Sequence, residues 1–182
     1  MEEKPVKLPL MVGHTLGAGS VHLIIPQPSG LEFIRRLLAD PETMAPVGGP
    51  VHLSPEGAKD WYRGWVDPGH QDRIYLLVLS ENRPVGEIGF RGFEPDSRTG
   101  SLNVKIAAWE RGQGYGKDAL DGLLSFFFGP LHGLKLIDDV ALENTGGQAL
   151  LLNAGFKQNP EITDVCQLEL TKEQYEARQT HL

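Results

Sequence analysis

Arg111-Gly112-Gln113-Gly114-Tyr115-Gly116-Lys117 is the stretch on which the fold turns. An apolar run ending Val104-Lys105-Ile106-Ala107-Ala108-Trp109 precedes it. After it, Leu120, Leu123, Leu124, Phe127 and Phe128 recur at i, i+3, i+4, i+7 and i+8, the stripe of an amphipathic helix. The glycines therefore stand where a strand turns into a helix. At that point backbone N–H groups without intrahelical partners point outward together, and the helix dipole adds partial positive charge. Glycine lets an anion approach such a backbone closely, so the heptapeptide reads as a phosphate cradle.

Several cradles share these residue types. A P-loop needs Ser or Thr after the lysine, and Lys117 is followed by Asp118. Gly114, Gly116 and Ala119 approach a dinucleotide fingerprint, with Asp138 and Asp139 near the ~20-residue offset of its acidic partner. Spacing alone leaves that reading open, although such a fingerprint normally opens its domain.

The frame Arg111-x-x-Gly114-x-Gly116 resembles the acyl-CoA pyrophosphate loop of the GNAT superfamily of N-acetyltransferases. Asn144, followed eleven residues later by Gly155-Phe156, is similar to the second signature of that family. Val85-Gly86-Glu87-Ile88-Gly89-Phe90 resembles the strand two elements before the loop. The likeness spans roughly residues 73 to 170 and points to the branch that acetylates ribosomal-protein N-termini and small amines. It implies a single-domain α/β fold, a central mixed β-sheet with helices on both faces. It also implies acetyl-CoA as donor and a small-molecule amine or protein N-terminus as acceptor. The CoA contacts it implies are Ile106, Arg111, Gly112, Gln113, Gly114, Tyr115, Gly116, Lys117 and Asn144, more through backbone than side chains.

Composition bounds the alternatives. The 182 residues, 40% hydrophobic, suit one well-buried domain. A net charge of −7 argues against nucleic acid as partner, since phosphate-backbone binding needs a basic face. No apolar run approaches the ~18 residues of a membrane span. Met1-Glu2-Glu3-Lys4-Pro5 lacks a signal-peptide profile, and the lone Cys166 fits a reducing compartment, so a cytoplasmic location is expected. Six scattered histidines show no metal-ligand spacing. A homodimer is compatible with the sequence.

Residues 1–20 read as an N-terminal extension and 21–182 as the domain. The glycine cluster Gly13 to Ser20 has no helix after it and no adjacent lysine, and reads as a flexible loop. Beyond it the expected order is a strand at Val21 to Ile25, a helix from Ser29 and a Pro/Gly-rich loop over 39–53. A helix capped by Ser54 follows, with Trp61, Tyr62 and Trp65 on one face. Strands come next at Ile74 to Leu79, Val85 to Arg91 and Leu102 to Ile106. After the loop helix come a strand at Leu134 to Leu142, a short helix at Gly146 to Ala154, and two final strands. The aromatic spacing is that of a buried helix face; the resemblance implies that this helix also borders the acceptor pocket.

Transfer of an acetyl group from a thioester to an amine needs a neutral amine, a base to take its proton, and a donor for the oxyanion. In the resembling family that donor is a backbone N–H where the Ile106 strand splays from its neighbour. Leu151 stands where the family often carries a proton-donating Tyr, and Ser101 where it often carries an acidic base. Their absence admits an alternative, a non-catalytic CoA-binding module that regulates a partner. Glu87 is the candidate general base, on a strand face shared with Val85, Gly89 and Arg91, with glycines leaving room beside it. A carboxylate there must face a cleft or pair with a cation such as Arg91 or Lys105.

Overall fold

The computed structural model describes residues 16–180. The chain runs β1 (Leu16–Ala18), β2 (Val21–Ile24), α1 (Leu31–Ala39), α2 (Pro41–Met44), α3 (Pro55–Trp65), β3 (Ile74–Ser80), β4 (Arg83–Glu94) and β5 (Thr99–Ile106). It continues through α4 (Tyr115–Phe128), β6 (Lys135–Val140), α5 (Thr145–Asn153), β7 (Lys157–Gln158), β8 (Cys166–Thr171) and α6 (Lys172–Gln179). The strands form one sheet in the order β1-β2-β3-β4-β5-β6-β8-β7. All neighbours are antiparallel except β5 and β6. The sheet is thus mixed, and helices cover both faces.

The two faces follow from the strand sequences. Leu76, Ile88, Phe90 and Leu102 point to α4, where Phe127 meets Phe90 and Phe93 edge-on at centroid distances of 5.2 and 5.9 Å. Tyr75 and Leu77 point the opposite way and pack with Ile34 of α1, Met44 of α2 and the tryptophans of α3. β3 is apolar on both sides because both sides are covered.

Several boundaries differ from the sequence reading, each for a local reason. Leu16–Ala18, inside the glycine cluster read as a flexible loop, pairs with β2 and joins the sheet. Residues 13–15 of that cluster lie outside the described residues. Pro28 starts a 3-10 turn, so α1 is capped by Gly30 rather than Ser29. The loop over 39–53 contains α2, whose cap Asp40 accepts a hydrogen bond from Thr43 N at 2.7 Å. Ser54 caps α3 as expected, accepting from Gly57 N at 3.0 Å. Helix α6 is an addition, and its capping box, Thr171 with Gln174, stood in the sequence.

The feature that positions the site is a mismatch in pairing length. β5 and β6 pair only from Thr99–Lys135 to Ser101–Ile137. β5 then continues to Ile106 beside β4, and β6 to Val140 beside β8. The parallel strands therefore diverge toward their C-terminal ends, where α4 begins. The sheet is opened by a wedge-shaped gap.

Candidate active site

The cradle forms as the residue types dictate. Gly112 and Gly114 have φ of +80° and +82°, a region that side chains with a Cβ adopt at a cost. Gly114 is the N-cap of α4, and no atom stands within 4 Å of where a Cβ would sit on Gly112 or Gly114. The amides at this helix start are open to an anion, so the loop fits the pyrophosphate of CoA. A Cβ on Gly116 would rest 3.5 Å from Ile106 and Leu150, placing the loop against the end of β5 and against α5. Gln113 is exposed and Tyr115 half-buried.

The two cations of the heptapeptide already have partners. Arg111 Nη2 donates to the carbonyls of Glu42 and Thr43 at 3.3 and 3.4 Å, tying the loop to α2. Thr43 Oγ1 accepts from Ala108 N at 2.8 Å, and Arg83 pairs with Glu110. Lys117 pairs with Asp121 at 2.8 Å on the exposed side of α4, an i,i+4 pair loose enough to exchange for phosphate. Asp118 accepts from Ser20 N and Oγ at 2.8 and 2.7 Å, and these bonds hold its carboxyl below the usual range.

The gap opens on a cavity of about 560 Å³, lined by Leu102 to Lys105 of β5 and Asp138 to Val140 of β6. Its walls come from both sides of the sheet, among them Trp61, Tyr75, Lys105, Asp138 and Asn144. Asn144 reaches it as the N-cap of α5, its Oδ1 accepting from Gly147 N at 3.0 Å. Trp61 and Trp65 serve as both core and cavity wall, while Tyr62 turns away to donate to Pro26 O at 3.0 Å.

Glu87 is only 1% exposed and borders this cavity. Its Oε2 accepts from the Tyr75 hydroxyl. Its Oε1 accepts from Lys105 Nζ at 2.6 Å and Asn103 Nδ2 at 3.0 Å. The cation foreseen for it is therefore Lys105, directly opposite across β4 and β5. Two details of the sequence reading are corrected. Val85 is the extra residue of a β-bulge against Val78 and Leu79, so it turns into the α4 core rather than sharing a face with Glu87. Gly86 and Gly89 do not leave room beside Glu87; a Cβ there would strike the carbonyls of Lys105 at 2.3 Å and Ile74 at 2.0 Å.

Sequence reading singled out Asp138 only as the acidic partner of a dinucleotide fingerprint and missed its place in this cavity. It follows Ile137, the last β6 residue paired with β5, and so stands at the apex of the gap. Burial, then the neighbouring Asp139, raise its carboxyl to about 7, while Lys105 and Arg91 act in the opposite direction. The signal was available: Leu136, Asp138 and Val140 share one face of an apolar strand, and a carboxylate among core residues requires a reason. Among the described residues, no group of three or more His, Cys, Asp or Glu is arranged to hold a metal.

The comparisons with known proteins agree with this geometry. Residues 23–157 match the acetyltransferase (GNAT) domain family. A sequence comparison with curated proteins finds no match. Among solved structures, the spermidine N-acetyltransferase of Vibrio cholerae, in complex with CoA and spermine, superposes with a TM-score of 0.77 at 18% identity, covering 86% of this chain and 98% of that one. A T. thermophilus protein assigned as an acetyltransferase gives 0.74 at 20% identity, covering 92% and 94%. A V. cholerae protein assigned as a ribosomal-protein-serine acetyltransferase gives 0.69 at 19% identity, covering 87% and 98%. The chain belongs to the GNAT acetyltransferases, a family that uses acetyl-CoA to acetylate amines. The non-catalytic alternative finds no support.

Proposed function

We propose that the acceptor is a primary monoamine, carried by a small molecule or the first residue of a peptide, whose apolar body lies against the α1–α3 side of the cavity. The observation that supports this reading is the gap between β5 and β6, which opens on an aromatic-walled cavity and widens toward the strand end that precedes the CoA cradle. Trp61, Trp65, Met44 and Val47 offer apolar surface, and an ammonium group gains from an aromatic face as it enters. A polycation would gain most from a large surplus of carboxylates. Here Glu87, Asp138 and Asp139 face Lys105 and Arg91, with Lys105 paired to Glu87, so the lining holds a surplus of one carboxylate, enough for one ammonium group. The proposed setting is the cytoplasm, which supplies acetyl-CoA and keeps the buried thiol of Cys166 reduced.

Acetyl transfer from acetyl-CoA to benzylamine, to Ser- and Ala-led peptides and to spermidine tests the reading. Benzylamine or a peptide should exceed spermidine in kcat/KM by about tenfold or more, a difference of roughly 1.4 kcal/mol in transition-state binding. A clear preference for spermidine would overturn the monoamine assignment.

A further inference from the structure

We propose that Asp138 is the general base of the reaction, taking the proton of the acceptor amine at the apex of the gap, and that Glu87 only positions the surrounding strands. This rests on the acetyl-transfer reading above. The first ground is place. β5 and β6 are parallel, and they separate immediately after Ser101 and Ile137. A CoA whose pyrophosphate sat at the α4 N-terminus could reach the cavity through this gap, and its thioester would then lie between the diverging strands. Asp138 is the first β6 residue with no β5 partner, while β8 still pairs with it on the other side.

The second ground is availability. Among the described residues no side chain donates a hydrogen bond to Asp138, though it borders the cavity. The other carboxylates there accept side-chain hydrogen bonds, and Asp139 is in addition exposed. Glu87 receives Tyr75, Asn103 and Lys105, and Asp139 receives Gln167 Nε2 at 2.8 Å. A proton on Glu87 would cancel the charge that balances the Lys105 ammonium, in a site with little water to replace it.

The third ground is electrostatic balance. The charged groups around Asp138 are Asp139 on its own strand, Lys105 on β5, and Arg91 and Glu87 on β4. β8 sets Leu168 opposite it; α3 lines the cavity with Trp61 and Trp65, and α5 with Gly147 and Leu151. Burial and Asp139 outweigh Lys105 and Arg91, and the carboxyl titrates at about 7, near the working pH at which a base is most effective.

The step balances as follows. An incoming ammonium gives one proton to the Asp138 carboxylate. The freed nitrogen lone pair forms the N–C bond to the thioester carbonyl carbon, and the C–S bond breaks with its electron pair on sulfur. The second nitrogen proton passes to the thiolate, giving CoA thiol and the amide. Asp138 then releases its proton to solvent, so one proton is released per turnover.

The test uses the full chain, acetyl-CoA and the amine panel named above. Wild-type kcat/KM should rise with pH through a midpoint near 7. Asp138→Asn should lower kcat/KM at pH 7.5 by about 10²-fold or more and remove that limb, with CoA affinity by calorimetry unchanged. Asp138→Glu should recover part of the loss. Asp138→Asn within a few-fold of wild type at every pH would overturn the proposal. A titration of ¹³C-carboxyl-labelled protein with CoA bound needs no acceptor. An Asp138 midpoint near 7 supports the assignment, and one near 4 overturns it. Wild type that acetylates none of these amines counts against the acceptor reading and not against Asp138; the titration, which needs no acceptor, then supports or overturns the raised ionisation on which the assignment rests.

Discussion

Asp138 shows at the scale of one residue how the fold sets a functional property against its own stability. Its ordinary value in an unfolded chain is about 3.9, and the folded environment raises it to about 7. Between those values the native state holds a proton that the unfolded chain has already shed. The group's contribution to stability is therefore present at about pH 4 and lost as pH rises through 7. Asp138→Asn removes the ionisation, so its stability should match wild type near pH 4. At pH 8 it should exceed wild type by a few kcal/mol, up to about 4. Urea denaturation at pH 4, 6 and 8 measures the gap. A gap that does not widen with pH means that Asp138 ionises as freely in the fold as outside it. Glu87 is the opposite case, a carboxylate whose desolvation is offset by Lys105, Asn103 and Tyr75.

At the scale of elements, the cradle is held by pieces distant in sequence. The Ala108–Glu110 turn is fixed by Thr43 of α2 through Ala108 N, and Arg111 reaches back to the same helix. On the other side, the β1–β2 turn is fastened to α4 through Ser20 and Asp118. The short α2 thus helps to shape a binding loop more than sixty residues away. Thr43→Val keeps the volume and removes the acceptor, leaving the Ala108 amide unpaired in a crowded place. A loss of about 1–2 kcal/mol in unfolding free energy is expected, together with a several-fold rise in the KM for acetyl-CoA at nearly constant kcat. Steady-state kinetics beside urea denaturation would decide it, and no change in either quantity would remove α2 from the loop's support.

At the scale of the whole molecule, the site exists because two parallel strands pair over only three residue positions. The gap carries no covering strand of its own, so ligand binding there should stabilise the fold. CoA at 100 times its dissociation constant adds about 2.7 kcal/mol, which for a domain of this size raises Tm by roughly 5–10 °C. Gly114→Asp should abolish that rise. It puts a carboxylate in the anion cradle and a Cβ at φ +82°. Differential scanning fluorimetry with and without CoA measures the effect, and an equal rise in the variant would move the pyrophosphate elsewhere.

The sequence by itself determined whatever depends on near neighbours along the chain. The glycine cradle between strand and helix, the Asn144 cap with Gly155-Phe156 beyond it and the aromatic face of α3 are all local patterns. Local pattern also carried the mixed α/β fold, whereas α6 went unread as a whole although its capping box stood in the sequence. The tertiary structure alone decided what depends on register between distant strands. The β1 pairing, the turn of Val85 into the core at a bulge, the neutralisation of Glu87 by Lys105 and the opening of the gap at Asp138 are of that kind. Helical periodicity and caps are set within a few residues by backbone geometry. Strand partners are chosen by packing across the whole chain, and a residue's charge environment follows from that choice.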